Sequence, residues 1–113
     1  MRESDVQVSV RLVFGQADGF VVWRNNQGLA EYEDYKVRYG VAEGGSDLLG
    51  IAPGGLFLAV EVKRPKNKRT QDNQRRFLEL VLQLGGVACV CRSKEQAENQ
   101  IDGIRKGGRR LGW

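Results

Sequence analysis

A chain of 113 residues with 41% hydrophobic and 28% charged side chains has room for one folded domain around a single core. It contains no apolar run near the roughly 18 residues that a membrane span needs. It has no histidine, which excludes Ser-His-Asp and Cys-His catalysis, the usual zinc hydrolase sites and nucleases that use a histidine base. Any hydrolysis here must run on carboxylates, lysine and a hard metal ion.

Charge is divided unevenly along the chain. Residues 1–62 hold five basic and nine acidic side chains, whereas residues 63–113 hold thirteen and five. Such a division suits a polyanion-binding surface around a cation-binding pocket, or simply an unevenly charged soluble surface. The opening "MRESD" carries no apolar leader, so export is not expected and a cytoplasmic protein is.

In chain order, residues 3–14, "ESDVQVSVRLVF", fit two periods. Val6, Val8, Val10 and Leu12 alternate as in a strand, while Val6, Val10, Val13 and Phe14 share one helical face. Residues 19–25, "GFVVWRN", read as a strand, followed by an Asn-rich turn and an acidic loop. Residues 34–40, "DYKVRYG", form a short strand. The runs "SDLLGIA" (46–52) and "LFLAVEVK" (56–63), joined by "PGG", read as a hairpin. Thr70 offers an N-cap to a helix "QDNQRRFLELVLQL", with Phe77, Leu78, Val81 and Leu82 as its apolar stripe and Gly85-Gly86 as its stop. "GVACVCR" (86–92) is a buried strand, and Ser93 caps a last helix, "KEQAENQIDGIRKG". Cys89 and Cys91 lie two apart on one strand face, a spacing unsuited to a disulfide or a zinc knuckle. They read as buried reduced thiols. The tail "KGGRRLGW" ending in Trp113 offers a dimerisation segment, a DNA contact or a frayed end. This order of elements predicts an α/β fold with a central mixed sheet.

"LAVEVKRPKNKR" (58–69) carries the chemistry. A strand alternates its faces, so Glu61 and Lys63 are neighbours on one surface, roughly 6.5 Å apart along the chain. Asp47 begins the strand that pairs with this one, so a carboxylate from each strand can converge on one hard cation such as magnesium or manganese. Lys63 adds an ammonium beside a metal-bound water and a phosphate. Gln74 precedes Phe77 and Leu78 by three and four residues and therefore faces the sheet. An E-x-K triplet alone occurs by chance on surface strands. A D-x(13)-E-x-K arrangement across a hairpin is more specific. Five basic residues in the seven of "KRPKNKR" follow at once and form either a solubilising loop or a phosphate clamp.

The stretches "WRNNQG", "VRYG", "GGSDLLGI", "FLAVEVK", "TQDNQRRFLELV" and "GGVACVCRS", in this order, resemble the VRR-Nuc family of the PD-(D/E)xK nuclease superfamily. The resemblance implies one nuclease domain over residues 1–113 with a restriction-endonuclease-like αβββαβ core, and it favours helix for residues 3–14. It implies that Asp47, Glu61, Lys63 and Gln74 are catalytic. Magnesium, with manganese as substitute, would be held by Asp47, Glu61, the Val62 carbonyl and an N-terminal acidic residue, Glu3 before Asp5. Ser46 stands where the superfamily's name writes proline.

DNA is the expected partner, with Lys63, Arg64, Lys66, Lys68, Arg69, Arg75 and Arg76 on its phosphates and binding that weakens with salt. Stand-alone members resemble structure-specific endonucleases that act as homodimers on branched DNA, including four-way junctions, and a phage or prokaryotic origin suits the short chain. No small-molecule cofactor is expected. The rival readings are a nicking or flap nuclease, a nuclease subunit of a larger assembly, a DNA-binding module with a vestigial pocket, and an RNA-binding domain. The last lacks interleaved exposed aromatics.

Overall fold

The computed structural model describes residues 2–26, 28–39, 45–64 and 72–113. Its elements are α1 (Glu3–Gln16), β1 (Val21–Arg24), β2 (Gly28–Glu31), β3 (Lys36–Tyr39), β4 (Leu48–Ala52), β5 (Leu56–Val62), α2 (Asp72–Gln83), β6 (Val87–Cys91), α3 (Lys94–Arg105) and β7 (Arg110–Leu111). A five-stranded sheet runs β1-β4-β5-β6-β7, and β2 and β3 form a separate two-stranded ribbon. The pairs β1·β4 and β4·β5 are antiparallel, while β5·β6 and β6·β7 are parallel. The sheet is therefore mixed, and α1, β1, β4, β5, α2 and β6 give the αβββαβ order.

Residues 3–14 are helical, and the burial shows why. Val6, Val10 and Phe14 are buried at a spacing of four, whereas Val8 and Leu12 are each 57% exposed. A strand would have put Val6, Val8, Val10 and Leu12 on one face. The helix aligns the apolar residues that the sheet can cover.

The β4–β5 hairpin turns at Pro53-Gly54-Gly55, where both glycines take positive φ (85° and 78°) that β-carbon-bearing residues avoid. The Gly55 N–H donates to the Ala52 carbonyl at 3.1 Å. Alternation along the strands then sorts the core into two layers. Leu48, Leu58, Val60, Val62 and Cys89 pack with Val6, Val10 and Phe14 of α1 and with Ala97, Ile101 and Ile104 of α3. Leu49, Ala59, Ala88 and Val90 pack with Phe77, Leu78 and Val81 of α2 on the other face. The sheet is thus sandwiched, with α2 on the face that carries Asp47, Glu61 and Lys63.

α2 stops at Gly85, whose φ is 94°. The Thr70 cap proposed for it lies outside the described residues. α3 begins as expected, with the Ser93 hydroxyl accepting the Gln96 N–H at 3.1 Å. Cys89 and Cys91 are buried free thiols. Burial pushes the Cys91 thiol up to about 12 and raises that of Cys89 as well.

Two segments differ from the sequence expectation. The acidic loop contains β2, which gains strand geometry by pairing with β3 from Gly28↔Tyr39 to Glu31↔Lys36. The C-terminal tail neither frays nor stands free. Arg110–Leu111 adds a fifth strand beside β6, and Trp113 packs on the α2-side core with its Nε1–H donating to the Ala88 carbonyl at 3.2 Å. The Arg110 guanidinium covers the Trp113 ring at 3.9 Å. No helix among the described residues is long and apolar enough to cross a membrane.

Candidate active site

The β4–β5 register runs from Ala52↔Leu56 to Leu48↔Val60, so one step further Asp47 stands opposite Glu61. The two carboxylates meet on the α2 side of the sheet. Asp47 is anchored by its Oδ2, which accepts the Val62 main-chain N–H at 2.9 Å. In a strand the N–H and C=O of one residue point to the same edge, so the Val62 carbonyl shares the edge that Asp47 approaches.

Glu61 is 1% exposed and Lys63 4%. Charges are rarely buried so fully without partners, and here the partners come from α2. Lys63 Nζ donates to Gln74 Oε1 at 2.7 Å, and Gln74 Nε2 donates to Glu61 Oε1 at 3.1 Å. The Lys63 ammonium and Glu61 Oε1 are 4.0 Å apart. One amide therefore spans the E-x-K pair, its oxygen on the ammonium and its nitrogen on the carboxyl group. The helical spacing that buries Phe77 and Leu78 also aims Gln74 at the sheet.

The second Glu61 oxygen, Oε2, is buried with no hydrogen-bond donor. Burial first, then the Asp47 charge, push the Glu61 carboxyl from 4.5 up to about 9, with Lys63 opposing. Two carboxylates crowded together with one oxygen unpartnered are a donor set suited to a hard divalent cation.

Glu3 contributes through charge alone, the smallest of the effects that raise Glu61. Among the described residues no three acidic or sulfur-bearing side chains gather closely enough to ligate one ion. Asp5 is engaged by Arg2 at 3.5 Å. Of the basic residues, Lys63 is inside the site, and Arg64, Arg75 and Arg76 are exposed. Arg75 lies 3.8 Å from Glu79. Lys66, Lys68 and Arg69 lie outside the described residues.

One further participant lies outside the E-x-K motif. Asn25, just after β1, donates its main-chain N–H to the Asp47 carbonyl at 2.9 Å and its Nδ2–H to the Ser46 carbonyl at 3.0 Å. Ser46 is wholly buried and donates its hydroxyl to the Leu48 carbonyl at 2.9 Å. The only sequence signal is an asparagine pair at a strand end.

A mixed sheet with carboxylates on two paired strands, and a lysine two residues after the second, is the layout of a PD-(D/E)xK nuclease domain, the type that the VRR-NUC match implies. The family model of the VRR-NUC domain matches residues 10–95. A solved VRR-NUC domain structure is similar over 88% of this chain and 94% of its own, at 29% sequence identity and a TM-score of 0.61. No curated protein matches. The chain belongs to the VRR-NUC family.

Proposed function

We propose that this protein is a metal-dependent, structure-specific endonuclease that hydrolyses phosphodiester bonds of branched DNA, four-way junctions among them, as a homodimer. The observation that carries this reading is the half-buried Asp47 set against the buried Glu61, whose Oε2 is unpartnered, beside the Lys63–Gln74 bond. Asp47 and Glu61, with the Val62 carbonyl, would hold magnesium or manganese, and Glu3 would add negative charge nearby. A divalent cation there supplies Lewis acidity and neutralises charge on the scissile phosphate.

The chain's own groups do the rest. Lys63 Nζ, held by Gln74 Oε1, keeps its remaining N–H donors for the attacking water and a phosphate oxygen. The water oxygen bonds to phosphorus as the water releases a proton to solvent, the bond to the leaving oxygen breaks, and that oxygen takes a proton from solvent. Gln74 keeps Lys63 and Glu61 in one register through the reaction. Arg64, Arg75 and Arg76, with Lys66, Lys68 and Arg69 of the following segment, neutralise flanking phosphates and position the duplex without reading sequence.

The described residues form one such site. Cutting two strands symmetrically takes two sites, which a two-fold dimer provides. The test is cleavage of labelled four-way junction, flap, nicked and linear duplexes with magnesium, with manganese and with chelator, alongside solution mass. Paired metal-dependent cuts in the junction by a species of twice the chain mass support the reading. Equal cleavage of linear duplex, or cleavage in chelator, contradicts it.

A further inference from the structure

Asn25 is half-buried at the end of β1 and touches no reacting group. It meets two successive carbonyls, of Ser46 through its side chain and of Asp47 through its main chain. These carbonyls belong to the peptide units on either side of the Asp47 α-carbon. A peptide unit is planar, so holding both carbonyls fixes both backbone torsions of Asp47 and the direction of its Cα–Cβ bond. The far end of that side chain is held by the Val62 N–H at 2.9 Å. Asp47 is thus gripped from β1 behind and from β5 in front.

We infer that Asn25 is a positioning residue for Asp47, acting through its side-chain N–H donor rather than through its bulk. The inference rests on the reading of Asp47 and Glu61 as the metal-binding pair. Its physical basis is tolerance. A hydrogen bond survives a few tenths of an ångström of drift, whereas magnesium demands near-ideal octahedral geometry at about 2.0–2.1 Å. Asp47 precedes β4 rather than lying within it, and the Asn25 main-chain N–H, one rung past Arg24↔Leu48, is the β1 ladder bond that reaches it. Asn25 supplies that restraint from the neighbouring strand.

The substitution that separates donor from bulk is Asn25→Asp, which keeps the shape but turns a carboxylate oxygen toward the Ser46 carbonyl. Asn25→Ala removes both donor and bulk, and Asn26→Ala, at the exposed next residue, is the control. The full chain is assayed for kcat and KM on a four-way junction, for the half-saturating magnesium concentration, and for amide hydrogen exchange at Val62, Leu58 and Val60.

Both Asn25 variants should lose about 10- to 100-fold in kcat and need more magnesium, with the DNA KM within about twofold of wild type. The Val62 amide should exchange faster while Leu58 and Val60, in the core of β5, stay protected, which shows that the fold persists. Asn26→Ala should behave as wild type. Wild-type kcat and Val62 protection in Asn25→Asp would overturn the inference. If wild type fails to cleave, or Asp47→Ala still cleaves, the reading of the site fails instead. The Val62 exchange then decides the role of Asn25 by itself, because it requires no catalysis.

Discussion

Asp47 and Glu61 face each other carboxylate to carboxylate across the β4–β5 ladder, and Glu61 Oε2 is buried there without a donor. The metal-free fold answers this crowding by keeping a proton on Glu61, raised from 4.5 to about 9. Between those values the folded chain binds a proton that the unfolded chain releases. Stability from this group is therefore complete below pH 4.5 and drains away as pH rises toward 9. In chelator, the melting temperature should fall from pH 5.5 through 8.5, and Glu61→Gln should flatten the slope and melt higher at pH 8.5. Added magnesium should stabilise wild type more at pH 8.5 than at 5.5, because it replaces the proton. An identical slope in Glu61→Gln would refute this account of the pair.

Gln74 bonds both Lys63 and Glu61, so its loss should disorganise the E-x-K pair without removing either side chain. Gln74→Ala should lower kcat by about 10- to 100-fold, the range found when a partner that orients a metal ligand is lost. The DNA KM should hardly change. A variant that melts lower yet cleaves at the wild-type rate would reduce Gln74 to a structural role.

The exposed arginines test the phosphate clamp. Alanine at Arg64, Arg75 or Arg76 should weaken binding about equally across DNA sequences. Each should reduce the slope of log affinity against log salt by roughly 1. Arg75 shares its charge with Glu79 and should show the smallest effect. Fluorescence anisotropy at several salt concentrations reads the slope. An unchanged slope in all three variants would move the DNA path elsewhere.

The tail is structural in this fold, since Trp113 packs on the α2-side core and donates to Ala88. Trp113→Ala should cost about 1–3 kcal/mol in denaturant unfolding, a half-buried share of the 3–5 typical of large core aromatics. Its DNA affinity should stay within about twofold of wild type. A loss of DNA binding or of dimer mass at unchanged stability would return the tail to an interface role.

Local pattern carried much of this architecture, and pairing with distant strands hid the rest. The β4–β5 hairpin and its E-x-K face follow from period-2 alternation around Pro53-Gly54-Gly55, and α2 and α3 follow from apolar spacing and a serine cap. α1 was ambiguous because Val6 and Val10 satisfy both periods. Only the exposure of Val8 and Leu12 separates them, and burial is a tertiary property. β2 and β7 owe their geometry to β3 and β6, so four and two residues of sequence held no signal. Asp47, Glu61, Lys63 and Gln74 are visible as a spaced motif, and the structure brings them together. Asn25 was not visible, because it acts on main-chain carbonyls that any residue type supplies.

The most direct test is single-turnover cleavage of a labelled four-way junction by wild type, Asp47→Ala and Lys63→Ala, each confirmed as folded by its melting curve, with and without magnesium. Wild type should cleave only with magnesium. Asp47→Ala should give no product, and Lys63→Ala should lose at least about 10²–10³-fold, as expected when a charged donor to the transition state is removed. Wild-type cleavage by either folded variant would contradict the assignment of this carboxylate pair and lysine as the catalytic centre.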